Sequence, residues 1–285
     1  MSGTHSNIVI FLLTTYVYYL VIKPKLTYSV VSDTNEYKKY LQNNYISLAI
    51  YLLLVIVFQG IVNTNYINST CGGSTQDNIG FAGIMTLWPW TLIFGVLLII
   101  ITIFPGFKTA FSDVIGYFWV SKSATKILTE LLIDKEVQPK IDGDSRLTPE
   151  MKMKMQTAAD AILKIFGNTG MIINQVTPRN FQQFWDTMTP LMKDQFKPVN
   201  DKLPQQALSM REDLFKLVVT RDNVGEALWY VYTGLLVTSI VQLKISSKGC
   251  KNNTKTMEQN YDKFKETESA AAEKKKLAQS QVYTL

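Results

Sequence analysis

Four apolar runs constrain this chain more than any other feature of its sequence. An α-helix rises about 1.5 Å per residue, so crossing a bilayer core of roughly 30 Å takes about 20 residues. Four runs meet or approach that length and contain no Asp, Glu, Lys or Arg: Ser6–Ile22, Tyr45–Val62, Ile84–Phe104 and Ala227–Leu243. No positive charge precedes the first run, which favours an uncleaved anchor over a signal peptide. The sequence therefore predicts an all-α, multi-span membrane protein with four transmembrane helices.

A fifth apolar segment, residues 107–120, must be classified separately. As a helix its fourteen residues reach only about 21 Å, and Lys108 and Asp113 lie within it. Phe107, Phe111, Val114 and Phe118 recur at helical spacing, with the charged residues on the other side. We interpret the segment as an amphipathic helix lying in the membrane interface. A fifth re-entrant or spanning segment is the alternative.

The loops between the runs predict the orientation in the membrane. Short cytosolic loops collect Lys and Arg, and translocated loops do not. The first loop, residues 23–44, contains four lysines, whereas the second, residues 63–83, contains none. The first loop is therefore predicted to be cytosolic, together with residues 121–225, and both ends of the chain lie on the far face. Eight lysines in the tail favour the opposite side, but tails carry less topogenic weight.

Charge divides the chain into regions. Of 29 Lys and Arg residues, five lie in the first 120 residues and fifteen in the next 105. We predict three transmembrane helices and the interfacial helix in 1–120, a soluble helical domain in 121–225, the fourth transmembrane helix in 226–245 and a basic charged tail in 246–285. The tail has almost no apolar stripe, and its Lys274–Lys276 run is either a solvated face or a site for phosphates.

The soluble domain has a helical pattern without strand signals. One face collects Ile127, Leu128, Leu131 and Leu132. Thr148-Pro149 and Thr177-Pro178 have the composition of helix starts. Asn223 and Glu226 have the spacing of a capping box, which predicts that a new helix begins there and leads into the fourth span.

Motifs that carry chemistry are missing from the sequence. There is no nucleophile elbow, phosphate-binding glycine loop or Cys-x-x-Cys pair, and the one histidine is His5. Asp142 and Asp144 could bind a cation, but the pattern is more typical of a turn. We therefore predict no enzyme activity, no catalytic residues, no cofactor, no metal site and no small-molecule substrate. Spans without an ionisable residue also argue against transport.

Two pairs of residues are predicted to share the far face. Cys71 and Cys250 each lie near the end of a span, so either a disulfide joins them or they are unrelated buried thiols. Asn68 and Asn252 each begin a glycosylation sequon.

Two further groups of residues are interpreted as ordinary structural devices or as docking elements. Trp88, Pro89 and Trp90 lie within the third run, where a proline kink flanked by aromatic side chains would explain them. The junction residues Asp222, Asn223 and Glu226 precede the fourth run, where a capped helix start would explain them. The other interpretation is that both groups dock against partners.

Two stretches of the sequence are similar to those of a known protein family. They are CGGSTQDNIGFAGIMTLWPWTLIFGVLLIIITIFPGFKTAFSDVIGYFWV, residues 71–120, and TRDNVGEALWYVYTGLLVTS, residues 220–239. They resemble a membrane protein family of nucleocytoplasmic large DNA viruses (giant viruses) that contributes to the virion's inner membrane and capsid. The soluble domain matches loosely and the tail hardly at all.

The resemblance implies a structural role, as a minor capsid protein that ties the inner membrane to the icosahedral shell. Its partners would be the lipid bilayer and capsid or other virion membrane proteins, with nucleic acid only through the basic tail. The location would be the virion inner membrane and, during assembly, membrane derived from the host endoplasmic reticulum. The alternative functions are a membrane channel or a component of an entry and fusion complex.

Overall fold

The computed structural model describes residues 2–71, 75–132, 148–150, 153, 169–200, 202–248 and 254–280. Within these ranges the regular structure is helical, and the extended pairing consists of two isolated bridges, Leu132 with Met192 and Val199 with Lys202. Four helical stretches are long and apolar enough to cross a membrane: His5–Ile22, Thr34–Cys71, Asn78–Ile103 and Gln205–Ser247. The all-α, multi-span fold is confirmed.

Helices α1 to α3 contain the first two spans. Helix α1 (Ser2–Val17) continues as a π-helical turn, Tyr18–Ile22. It ends at Lys23, which is extended because the following residue is a proline. A short helix α2 (Tyr28–Ser32) then leads to the 38-residue α3 (Thr34–Cys71).

Helices α4 (Thr75–Pro89) and α5 (Val96–Ile103) form the third span. A π-helical turn, Trp90–Gly95, joins them directly after Pro89. A proline inside a helix lacks the N–H for the i to i−4 bond, and the wider turn accommodates this defect. The span ends at Phe104, which precedes Pro105 and leaves the helical conformation.

The segment after the third span is helical through its whole length. It runs as a 3-10 turn Pro105–Lys108, α6 (Thr109–Phe111), a π-helical turn Ser112–Gly116 and α7 (Tyr117–Leu131). The predicted helix over 107–120 is therefore present, and it continues beyond that range into the soluble domain.

The remaining helices are α8 (Thr169–Gln175), α9 (Phe181–Met188), α10 (Gln205–Lys248) and α11 (Thr254–Ser280). Two 3-10 turns, Thr189–Leu191 and Asp194–Phe196, follow α9. Helix α10 has 44 residues without a break, so the predicted helix start at Asn223 is wrong. Between the core residue Val218 and the fourth apolar run the backbone stays helical, and Asp222, Asn223 and Glu226 bond side chains of other segments there.

The other predicted helix starts have different outcomes. At Thr177-Pro178 the chain makes a turn in which Thr177 and Asn180 bond each other, and α9 begins three residues later than predicted. At Thr148-Pro149 the described residues 149 and 150 are helical, and most of the helix predicted there lies outside the described residues. Asp142 and Asp144 also lie outside them.

The chain forms two compact units. The first consists of Met1–Thr14, Leu52–Phe94 and Gly234–Leu285, and the second of Thr15–Tyr51 and Gly95–Thr233. Each unit collects its segments from several spans.

The first unit has a polar network among its apolar residues. Asn7 Nδ2 donates to Asn63 Oδ1 at 3.1 Å, and Gln242 Nε2 donates to the same oxygen at 2.8 Å. Asn63 Nδ2 donates to Thr86 Oγ1 at 2.8 Å, and Gln59 donates to the Asn7 carbonyl. We call these five buried residues the amide network. They come from the start of the first and third spans and the end of the second and fourth, as alternating spans require.

The second unit has an apolar core. Tyr28 of α2 joins it from outside the soluble domain, and its ring lies 5.9 Å from Phe181 and from Phe215. The predicted face of α7 is confirmed, because Leu128, Leu131 and Leu132 are buried and Ile127 packs against them. The core also contains Val120, Ala124, Ile172, Ile173, Val176, Trp185, Met188, Met192, Phe196, Ala207, Leu214 and Val218.

Candidate functional site

The second unit buries a group of charged side chains where the fourth apolar run begins. We call Lys23, Lys108, Asp222, Asn223 and Glu226 the junction cluster. Lys23 follows the first span, Lys108 follows the third, and the other three lie within positions 222–226 of α10, just before the fourth apolar run. Three chain segments distant in sequence therefore supply one site.

Glu226 is the centre of the junction cluster. Its Oε1 accepts from Lys23 Nζ at 2.5 Å, and its Oε2 lies 3.2 Å from Lys108 Nζ. Lys108 Nζ also donates to Asp222 Oδ2 at 2.8 Å, and Lys23 Nζ donates to Asn223 Oδ1 at 2.8 Å. The Tyr19 hydroxyl donates a second hydrogen bond to Glu226 Oε1, at 3.1 Å. Two cations and two anions thus balance one another.

Burial makes these contacts energetically important. The side chains of Glu226 and Lys23 are only 9% and 8% exposed. Burial lowers the pKa of Lys23 below its ordinary value, and the Glu226 carboxylate offsets this only in part. Burial would also lower the pKa of Lys108, but the carboxylates of Glu226 and Asp222 outweigh it and hold that pKa above its ordinary value. Lys108 therefore stays charged.

A third buried cation, Arg221, lies one residue before the cluster on α10. The Arg221 guanidinium donates to the backbone carbonyls of Ile173 and Val176. Ile173 lies in the last turn of α8, and Val176 directly follows that helix. Its Nη1 also lies 3.9 Å from Asp113 Oδ1. Carbonyl oxygens at a helix C-terminus carry partial negative charge, so they suit a guanidinium. Arg221 thereby ties α8 of the soluble domain to α10.

Two glycines allow the interfacial segment to contact α10 closely. A Cβ added at Gly116 would lie 2.7 Å from the Arg221 carbonyl oxygen. One added at Gly225 would lie 2.7 Å from Ser112 Cβ and 2.8 Å from the Lys108 carbonyl oxygen. Both distances are shorter than real Cβ contacts. The approach brings Lys108 within reach of the α10 carboxylates.

The other side of the interfacial segment is apolar, and several of its side chains are exposed among the residues that the structure describes. Phe118 is 83% and Trp119 is 74% exposed, and Phe107 and Val114 are exposed as well. Trp229 of α10 contacts this segment through a hydrogen bond from Nε1 to the Phe107 carbonyl at 2.7 Å. A helix face with such exposed apolar side chains is typical of a helix lying in a lipid interface.

The predicted docking residues have separate locations. Asp222, Asn223 and Glu226 belong to the junction cluster. Trp88, Pro89 and Trp90 belong to the first unit, where Trp88 is exposed and Trp90 is fully buried against Phe11 and Phe94. Their docking role stays a prediction.

The predicted disulfide and glycosylation residues are only partly described. Cys71 is disulfide-bonded, and Cys250 lies outside the described residues. Asn68 accepts a hydrogen bond from Asn78 at 2.8 Å, and Asn252 lies outside the described residues. The Cys71–Cys250 pairing and both sequons stay predictions.

Sequence reasoning missed Lys23, Lys108 and Tyr19 as site residues. The sequence pattern places Lys23 in a cytosolic loop and Lys108 in the interfacial segment, and neither placement predicts a buried ion pair. One signal was available, since Lys108 is the only basic residue between positions 40 and 121. A lone charge in so apolar a stretch needs a partner of opposite sign.

The chain matches no protein family model, no curated protein and no solved structure. Its function is therefore argued from its own residues and from the resemblance described above.

Proposed function

We propose that this protein is a structural virion membrane protein that links an inner membrane to an icosahedral capsid. The observation that carries the proposal is the passage of α10 from the apolar core of the second unit into the fourth apolar run without a break. Ala207, Leu214, Phe215 and Val218 pack in the core, and Ala227 begins the apolar run on the same helix. The helix that carries the fourth apolar run therefore also supplies part of the core of the soluble module.

The junction cluster supports the same function. A flexible tether would need only the apolar run, which inserts without help from charged residues. The buried ion pairs of Glu226 instead fix α10 against the segments that carry Lys23 and Lys108. A fixed angle between a soluble module and the bilayer suits a protein that must meet a regular protein shell. The resemblance of residues 71–120 and 220–239 supports the virion as the place where this happens.

The amide network is the observation that would favour a channel. A channel needs polar groups that face a water-filled path. The amides of Asn7, Asn63 and Gln242 instead bond one another and are buried. Such bonds hold transmembrane helices together. The network is therefore better explained as a clamp between spans.

Crosslinking mass spectrometry on purified virions tests the proposal. We expect exposed lysines of the soluble domain, such as Lys126 and Lys202, to crosslink to capsid proteins. We also expect the protein to stay with the membrane until detergent dissolves it. Crosslinks confined to membrane proteins, in particles whose capsid proteins crosslink to one another, would contradict the link to the capsid.

A double variant, Asn223→Ala with Glu226→Ala, tests the role of the junction. It removes both acceptors of Lys23, so the angle between α10 and the interfacial segment should loosen while the apolar run still inserts. We expect normal membrane insertion and lower incorporation into capsids. The matched control is Asp213→Asn, which removes an exposed carboxylate from the same helix. Normal yields of infectious particles from the double variant would refute a docking role for the junction.

A further inference from the structure

The second unit contains a cavity of about 470 Å³ where several apolar runs begin or end. Leu48 lines it from the start of the second run, and Ile101 and Thr102 line it from the end of the third. Glu226, just before the fourth run, and Lys23, just after the first, also line it. By the spans predicted above, the cavity lies at one membrane surface. Its volume is within the usual range of small-ligand sites, about 300–1,000 Å³.

The wall of the cavity is positively charged. Eight ionisable Lys, Arg, Asp and Glu residues line it, and they carry a net formal charge of +4. The six cationic residues are Lys23, Lys25, Lys108, Arg179, Lys216 and Arg221, and the two anionic residues are Asp222 and Glu226. An anionic ligand is therefore favoured over a cationic or neutral one.

Two of the cations have no counter-charge among the residues that the structure describes. Lys23 and Lys108 are paired with the carboxylates of the junction cluster, and Arg221 is bonded to backbone carbonyls. Lys25 and Arg179 make no hydrogen bond or ion pair with any residue that the structure describes. They come from different parts of the chain, one after the first span and one between α8 and α9, yet both line the same cavity.

Part of the rest of the wall is apolar or aromatic, and part is made of neutral polar side chains such as Asn44 and Thr102. The apolar and aromatic part includes Leu26, Leu41, Leu48, Ile101 and Pro105, together with the rings of Tyr37, Tyr40 and Tyr45. A soluble phosphate compound has no apolar part that would contact this surface. A phospholipid would contact both the charged and the apolar part of the wall. Its phosphate would pair with the cations, and its glycerol and first acyl carbons would contact the apolar side chains. Basic cavities between transmembrane helices bind lipid headgroups in this way.

We propose that this cavity binds the phosphate headgroup of an anionic phospholipid, with Lys25 and Arg179 as its charge partners. The apolar wall would receive the glycerol and the first carbons of an acyl chain. The inference depends on the membrane location of the chain and does not depend on the virion role.

Native mass spectrometry of the full chain in detergent micelles tests this site. With equal amounts of phosphatidylserine and phosphatidylcholine, we expect the protein to retain phosphatidylserine preferentially. Lys25→Gln with Arg179→Gln should retain it about thirtyfold less, which is about 2 kcal/mol at roughly 1 kcal/mol per basic residue and 1.4 kcal/mol per tenfold. Either single variant should lose about fivefold, so each tests the assignment alone.

The matched control is Lys122→Gln with Lys126→Gln. These two exposed lysines of α7 make the same change in net charge but do not line the cavity. We expect the control to retain phosphatidylserine within about twofold of the unchanged protein, because general attraction to anionic lipid is weakened by salt. An equal loss in the control and the cavity variant would show general charge attraction and overturn the site.

Two other results would also overturn the proposal. Equal retention of phosphatidylcholine would show that the cavity does not select an anionic headgroup. Complete displacement of the lipid by glycerophosphoserine, at the same concentration, would show that a soluble phosphate compound is the ligand and that the apolar wall contributes nothing. Retention of phosphatidylserine against glycerophosphoserine supports the lipid.

Discussion

Replacing Glu226 by Gln should destabilise the protein far more than removing an exposed charge from α10. The variant keeps the size of the side chain and removes one negative charge, leaving two buried cations with Asp222 as the single anion. Removing one partner of a buried ion pair costs about 3–5 kcal/mol. Lys108 keeps Asp222 at 2.8 Å, so we expect the lower end of the range, about 3 kcal/mol.

A double-mutant cycle separates this ion pairing from loss of shape. Lys23→Met removes the cation whose contact with Glu226 is the shorter, 2.5 Å against 3.2 Å for Lys108. In the double variant Lys23→Met with Glu226→Gln, Lys108 and Asp222 balance each other again. Replacing both partners of a buried pair is often close to neutral, so we expect the double variant to recover about 2 kcal/mol relative to Glu226→Gln.

The assay is equilibrium unfolding of the purified protein in mixed micelles, followed by circular dichroism. The matched control is Asp213→Asn, whose carboxylate is half-exposed and pairs with Lys216 at 3.0 Å. Surface pairs contribute little, so this control should change stability by at most about 0.5 kcal/mol. A loss below about 1 kcal/mol for Glu226→Gln, or no recovery in the double variant, would refute the argument from buried pairing.

Three other predictions concern topology, covalent linkage and packing. Protease protection should place the soluble domain on the cytosolic side of the membrane, and finding it on the same side as Asn68 would refute the four-span topology. Non-reducing peptide mapping should recover one peptide that joins Cys71 to Cys250, whereas complete alkylation of both thiols in the folded protein would contradict the bond. Gly225→Ala should cost about 1–3 kcal/mol in the same unfolding assay because its Cβ has no space, while Gly60→Ala, with nothing within 4 Å, should not destabilise the protein.

The spans could be predicted from the sequence because a membrane imposes a length and a composition on each helix separately. The predicted run Ala227–Leu243 falls within α10, and Ser6–Ile22 within the first helical stretch. Helix ends set by proline were also accessible, since Lys23 and Phe104 both precede one. These features depend only on neighbouring residues.

The junction cluster could not be predicted in the same way, because it depends on which segments meet. Asn223 and Glu226 have the spacing of a capping box, and the same spacing places both on one face of a continuous helix. Whether a helix begins there is decided by contacts with Lys23, 200 and 203 residues away in sequence. Local propensity gives way to these long-range contacts.

The order of synthesis gives the junction cluster a consequence for membrane insertion. Lys108 leaves the ribosome 114 residues before Asp222, which takes roughly 6–23 s at about 5–20 residues per second. During that interval Lys23 and Lys108 have no carboxylate from α10, so both remain available to hold the early spans in the positive-inside orientation. Insertion of the last span then delivers Asp222 and Glu226 and neutralises the same two lysines. A chain whose last span fails to insert keeps both charges uncompensated, and in this way it differs chemically from the finished protein.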